Sequence, residues 1–231
     1  MKAHGARNDF LLTWTQEAPR ENHARIARAI CDRHAGVGAD GWLLVTAESS
    51  GQADGAIRLY NSDGSDSEIS GNGTRCAAAF LMDSGLAGPE VRIRTGAGIK
   101  LLHCLQQSGT KFEFEMNMGG AVYSHSGFET LELADGPRPV TILDVGNPQC
   151  ALIIEDFEFD WRRVGAEIER HPRFPKRTNV SFIRRVNEHT LDVRFYERGA
   201  GETESSGTGS TGAAATALRL GLVLSPVTVV T

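Results

Sequence analysis

One phrase is written twice in this chain, as "EISGNGTRCAAAF" from Glu68 to Phe80 and "ESSGTGSTGAAAT" from Glu204 to Thr216. An offset of 136 lays Arg58–Leu86 on Arg194–Leu222 with 11 identities in 29 positions and no gap. The identities include Arg58/Arg194, Tyr60/Tyr196, Glu68/Glu204, Ser70/Ser206, Gly71/Gly207 and Gly73/Gly209. A repeat of this length predicts two similar lobes related by an approximate two-fold axis. At 231 residues the chain is long enough for each lobe to bury its own core. We place the boundary between residues 118 and 119.

Within each copy the order reads strand, long turn, Ser-Gly-x-Gly, helix. The glycines allow close backbone approach, and the N–H groups at the following helix start are anion donors. A lone serine before such a helix is ordinarily an N-cap contributing about 1 kcal/mol. Two serines in matching context point further, to a shared crevice with Ser70 and Ser206 on its two walls. Inversion of a carbon next to a carboxylate suits that arrangement. One face loses a proton to a base, the other gains one from an acid, and the developing charge rests on the helix N-termini.

Elsewhere the chain alternates short β-rich segments with helical ones. "GWLLVTA", "AIRLYN", "VRIRT", "KFEFEMNM", "VTILDV", "CALIIED", "NVSFIRRV", "TLDVRFYE" and "VTVVT" read as strands. "HARIARAICDRH", "TRCAAAFLMDSGL", "DWRRVGAEIERH" and "STGAAATALRLGL" read as helices. The fold class is therefore α/β in the broad sense, specifically α+β. "GVGADG" at Gly36–Gly41 matches a dinucleotide pattern, but a helix precedes it and a strand follows, the reverse of what that site needs. A sharp helix-to-strand turn explains its glycines.

Net charge is −5 with both signs interspersed, which predicts no nucleic-acid partner and no anionic membrane surface. No apolar run approaches the roughly 20 residues of a membrane span. "MKAHGARNDF" has no apolar core of a signal peptide, so a cytoplasmic location is expected. Cys31, Cys76, Cys104 and Cys150 are scattered without metal-ligand spacing and read as reduced thiols. Neither a metal nor a cofactor is signalled.

Ordered motifs along nearly the whole chain resemble the diaminopimelate epimerase family. They are "HGARNDF", "DRHAGVGADG", "YNSDGS", "GNGTRC", "GNPQC", "RTNVSF" and "YERGAGET". The resemblance implies two pseudo-symmetric α/β lobes, a small amino-acid substrate, a two-base mechanism without cofactor, and a homodimer. It implies epimerisation of LL- to meso-diaminopimelate, which serves lysine and peptidoglycan synthesis. It assigns substrate binding to the side chains of Asn8, Asn61, Asn147, Asn179, Glu197 and Arg198. The backbone of Gly71, Asn72, Gly207 and Thr208 at the two helix starts would join them. Amide side chains offer donors and acceptors to an amino acid, and Arg198 can pair with a carboxylate.

The family's two proton carriers are cysteines, directly before GNG and before the second G-x-G. Those positions are Ser70 and Ser206 here, and the histidine of GNPHC is Gln149. Cys76 lies about a turn and a half into its helix and is not a replacement base. His4 reads as a structural residue at a strand end. The resemblance also implies that the second lobe lacks last strands that relatives carry beyond "SPVTVVT". Three other readings stand beside diaminopimelate epimerisation. One is epimerisation of a different amino acid, the second is amino-acid binding without catalysis, and the third is isomerisation by a carboxylate base such as Glu197 or Glu204.

Overall fold

The computed structural model describes residues 1–49, 51–125 and 127–231. The chain divides into two compact units, Met1–Met118 and Gly119–Thr231.

In the first unit the strands are β1 (Lys2–Gly5), β2 (Asn8–Trp14), β3 (Gly41–Ala47), β4 (Gly55–Asn61), β5 (Asp66–Ser67), β6 (Glu90–Thr95), β7 (Gly98–Ser108) and β8 (Lys111–Met116). Two helices, α1 (His23–Cys31) and α2 (Gly71–Asp83), accompany them. The sheet runs β1-β2-β3-β4-β6-β7-β8, with the short β5 paired to β4. The two parallel pairs, β2–β3 and β4–β6, are joined through α1 and α2 respectively. That is the connection a parallel pair requires.

Strand periodicity decides which helix covers which face. Phe10, Leu12, Leu43, Val45 and Leu59 pack with Ala77, Ala78 and Leu81 of α2. The intervening Leu11, Trp42, Leu44 and Tyr60 pack with Ala27 and Cys31 of α1. Covered on both sides, β3 is apolar throughout its buried part, "GWLLV", rather than alternating.

The second unit contains β9 (Val122–Tyr123), β10 (Glu129–Leu133), β11 (Gly136–Asp144), β12 (Pro148–Ile153), β13 (Asn179–Asn187), β14 (Thr190–Glu197), β15 (Gly201–Thr203) and β16 (Thr228–Val230). Its helices are α3 (Trp161–Glu169) and α4 (Gly207–Arg219). The same plan recurs. Parallel β12–β13 is crossed by α3, and parallel β14–β16 by α4. Cys150, Leu152, Val180 and Phe182 face Val164 and Ile168 of α3. Ala151, Ile183, Val193 and Phe195 face Ala213 and Ala217 of α4.

The sequence repeat is a structural repeat down to its register. Leu59 and Tyr60 pair with Ser67 and Asp66, and 136 residues later Phe195 and Tyr196 pair with Thr203 and Glu202. Helices α2 and α4 begin and end at positions exactly one offset apart. Both close on a glycine with φ near +70°, Gly85 and Gly221. In both the next leucine donates back across the turn, Leu86 to Leu81 O and Leu222 to Ala217 O, each at 2.9 Å. This is a left-handed helix stop with its carbonyls satisfied. The Gly36–Gly41 segment is the turn from α1 into β3, and a Cβ at Gly36 would stand 2.3 Å from Ala29 O.

Candidate functional site

Ser70 and Ser206 each occupy the N-cap of a long helix. Their backbones are nearly superimposable, at φ −129°, ψ 124° and φ −135°, ψ 120°. Each hydroxyl oxygen accepts the N–H of the residue three ahead, Gly73 at 3.1 Å and Gly209 at 3.0 Å. Capping is thus what both serines do within their own units. The N–H groups of the first helical turn, from Gly71 and Gly207 onward, have no acceptor inside their helices.

Beyond the cap the two serines differ. The Ser206 hydroxyl donates to Glu197 Oε1 at 2.6 Å, a short bond to an acidic side chain. The repeat places Asn61 where Glu197 stands, and the Asn61 amide donates instead to Ser65 Oγ at 3.0 Å. Ser70 Oγ has no second protein partner among the described residues. Ser206 is 3% exposed, whereas Ser70 is half-buried.

Around Ser70 the first unit assembles Asn8 and Asn72. Asn8, at the start of β2, accepts from Asn72 Nδ2 at 3.3 Å and donates to Asp40 Oδ2 at 2.8 Å. Asn72 Oδ1 in turn takes a short hydrogen bond from Arg75. Asp40 belongs to an ion cluster. Arg33 donates to both Asp9 and Asp40, and Lys2 lies 3.0 Å from Asp9. Burial pushes the Asp9 carboxyl up, but hydrogen bonds from Arg33 and Lys2 outweigh it and hold the group well below the usual range. Hydrogen bonds to the two aspartates raise Arg33 correspondingly. The cluster fixes the β1–β2 turn that delivers Asn8. In that turn Ala6 and Arg7 both have positive φ, 49° and 67°.

The second unit brings its residues together in two pairs besides Ser206–Glu197. Asn147 donates to Thr208 Oγ1 at 3.3 Å and accepts from Gln149 Nε2 at 2.7 Å. Asn179 accepts the Arg198 N–H at 3.0 Å and donates to Pro148 O at 2.9 Å. Gln149 is 1% exposed and its Oε1 has no hydrogen-bond partner among the described residues.

Asp40 and Arg75 lie inside quoted motifs, yet sequence reasoning did not single them out. A carboxylate behind an asparagine carries no spacing signal. All four cysteines are free. Cys76 is buried in the α2 core, and burial pushes its thiol up to about 12, the opposite of what a proton carrier needs. His4 is exposed on β1, and its Nδ1 accepts only a long 3.4 Å contact from Arg7 N. Among the described residues no group of three His, Cys, Asp or Glu side chains is placed to hold a metal ion.

This chemistry has known relatives. The family model described as diaminopimelate epimerase matches residues 1–124 and 141–231. A diaminopimelate epimerase of Burkholderia mallei (strain SAVP1) is 38% identical over 249 residues, spanning 99% of this chain and 84% of its own length. One from Acetivibrio thermocellus is 34% identical, spanning 90% and 79%. Among solved structures, a hydroxyproline epimerase from Agrobacterium vitis aligns with a TM-score of 0.75 at 17% identity, covering 97% of this chain and 77% of that one. That likeness speaks for the fold. The sequence matches run through both serine-capped helices and the asparagine motifs, and on them the chain belongs to the diaminopimelate epimerase family.

Proposed function

We propose that this chain is an amino-acid epimerase, an isomerase that interconverts LL- and meso-diaminopimelate, with Ser70 and Ser206 in its two base positions. The observation that carries the reading is the pair of matching serine-capped helix starts inside a family match that spans both units. Asn8, Asn61, Asn147, Asn179, Glu197 and Arg198, with the helix-start backbone of Gly71, Asn72, Gly207 and Thr208, bind the substrate.

A serine hydroxyl is a far weaker proton carrier than a thiol, so the Ser206–Glu197 bond matters. In one step the α-proton passes to Ser206 Oγ while the hydroxyl proton passes to Glu197 Oε1. The net base is then a carboxylate acting through a capped hydroxyl. The carbanion's charge is delocalised into the substrate carboxylate, where helix-start N–H groups stabilise it. Ser70 gives its hydroxyl proton to the opposite face and takes one back from water, and the proton held by Glu197 then neutralises the resulting hydroxide, which restores both groups. No cofactor takes part. The reaction serves lysine and peptidoglycan precursor synthesis in the cytoplasm, and the protein works as a homodimer, which its mass in solution checks. No helix among the described residues is long and apolar enough to cross a membrane.

Incubation with LL-diaminopimelate in D₂O, followed by NMR of the α-proton, tests the reading. Exchange with inversion, lost in Ser70→Ala or Ser206→Ala, is the expected result. A second reading is favoured by one observation: both hydroxyl oxygens are already engaged as helix caps, and Gln149 replaces the family histidine. On that reading the protein binds an amino acid without epimerising it. Binding with no α-proton exchange would establish it.

A further inference from the structure

Glu169 is a carboxylate in an unfavourable place. It is the last residue of α3, at the negative end of the helix dipole, and it is 2% exposed. A buried carboxylate is costly unless it is paired and hydrogen-bonded. The corresponding helix of the first unit, α1, ends in Cys31, so the crossover itself does not demand a charge there.

Its partners explain the position. Glu169 Oε1 accepts the Gly199 N–H at 3.2 Å and Arg177 Nη1 at 3.3 Å. Oε2 accepts Arg170 Nε at 3.0 Å, and the main-chain oxygen accepts Thr178 N–H at 3.4 Å. Gly199 directly follows Glu197 and Arg198, and Thr178 directly precedes Asn179. Arg177 is held at φ +59°, a conformation that costs a residue with a side chain and persists only where its surroundings enforce it. The two backbone segments are also joined to each other. Asn179 accepts the Arg198 N–H at 3.0 Å, and Arg198 Nη1 reaches Lys176 O at 3.3 Å.

We propose that Glu169 is a positioning residue for diaminopimelate binding. Through Gly199 N–H on one side and Arg177 and Thr178 on the other, it fixes Asn179 and Arg198 for the substrate. The inference rests on the function proposed above only in taking diaminopimelate as the ligand. A brace serving stability alone predicts a different outcome. It would lower the melting temperature of variants without changing how the folded fraction binds.

Glu169→Gln keeps the shape and removes the charge. Its amide can no longer accept from Gly199, Arg177 and Arg170 together. Calorimetric titration with meso-diaminopimelate is expected to show a Kd about ten-fold or more above wild type, the order of one lost charged hydrogen bond. The rise in KM should exceed the fall in kcat. Values of Kd and kcat within about three-fold of wild type overturn the proposal, whatever the melting temperature. A loss confined to kcat overturns it too, because Arg198 and Asn179 would then be in place. Arg177→Gln, on a side chain 45% exposed, covers the case in which the first variant does not fold. It should weaken binding in the same direction, and unchanged affinity again refutes the clamp. A wild type that binds but exchanges no α-proton ends the epimerase reading and leaves the affinity comparison to decide. A wild type that binds no diaminopimelate removes the proposal altogether.

Discussion

Replacing Glu197 with glutamine separates a base from a bystander. The perturbed contact is the 2.6 Å bond from Ser206 Oγ to Glu197 Oε1. A hydrogen bond to a charged group contributes roughly 1.5–3 kcal/mol and a neutral one about 1, so neutralising the acceptor costs about 1–2 kcal/mol. If Glu197 only orients the hydroxyl, that difference bounds the effect at about five-fold to thirty-fold in rate. If Glu197 receives the proton, the loss is that of a general base, roughly 10²–10⁴-fold. The assay is initial-rate α-proton exchange of LL-diaminopimelate in D₂O, run beside Ser206→Ala and the double variant. We expect Glu197→Gln to lose at least about 10²-fold. The double variant should be no slower than the worse single one, since residues acting as a unit are not additive. Cap and fold should survive, because Gly209 N–H still has Ser206 Oγ as its acceptor. Turnover above about a thirtieth of wild type in Glu197→Gln, with Ser206→Ala inactive, would refute the relay.

Four further outcomes are open to measurement. Converting both Ser70 and Ser206 to cysteine should raise the exchange rate at least about ten-fold, because a thiol titrates near pH 8.5 and lower at a helix N-terminus. Gly209→Ala should destabilise by about 1–3 kcal/mol in urea titration, since its Cβ would stand 2.7 Å from the Phe195 ring and 2.9 Å from Ser206 Cβ. The repeat-related Gly73→Ala, with nothing nearer than 3.3 Å, should cost clearly less. Arg7→Gly should stabilise by about 1 kcal/mol, measured as a raised melting temperature, because it removes a side chain held at φ 67°. Asp9 is held below the usual carboxylate range in the folded chain. Its contribution is therefore complete above that range and lost as pH falls through it, below about pH 5. Thermal melts of Asp9→Asn should depend less steeply on pH there than those of wild type.

What the sequence disclosed was whatever repeats or alternates. The Ser-Gly-x-Gly phrase predicted helices from Thr74 and Ser210, and α2 and α4 begin three residues earlier, at Gly71 and Gly207, because the serines themselves cap the first turn. "GWLLVTA" and "TLDVRFYE" are β3 and β14 residue for residue. The long β7 was not legible. "GIKLLHCLQQS" alternates poorly because Lys100 is 8% exposed and sends its ammonium to Met118 O, while Leu105 is 61% exposed. Short pairings such as β5 and β15 depend on the turns that carry them, and two or three residues hold no period. At the candidate site the asparagines were readable from motifs. Their supports were not: Asp40, Arg75 and Glu169 act through contacts distant in sequence or lost among ordinary charged residues.

The two serine-capped helix starts share a backbone conformation and differ in chemistry, and the difference follows from single letters of the repeat. At the same offset the chain writes Asn61 in one copy and Glu197 in the other. One serine therefore has a carboxylate for its proton, while among the described residues the other has only the cap it provides. A pair of thiols could divide the labour symmetrically, since each can hold or release a proton near neutral pH. A pair of hydroxyls cannot, because an unassisted serine gives up its proton only at a pH far above any the protein meets. On the proposed mechanism, proton removal is then easier on the face served by Ser206, and return on the face served by Ser70 depends on water. The substrate isotope effect should consequently be unequal in the two directions, larger where the proton leaves toward Ser70. Equal effects measured from LL- and from meso-diaminopimelate would mean that Glu197 does not set the two serines apart.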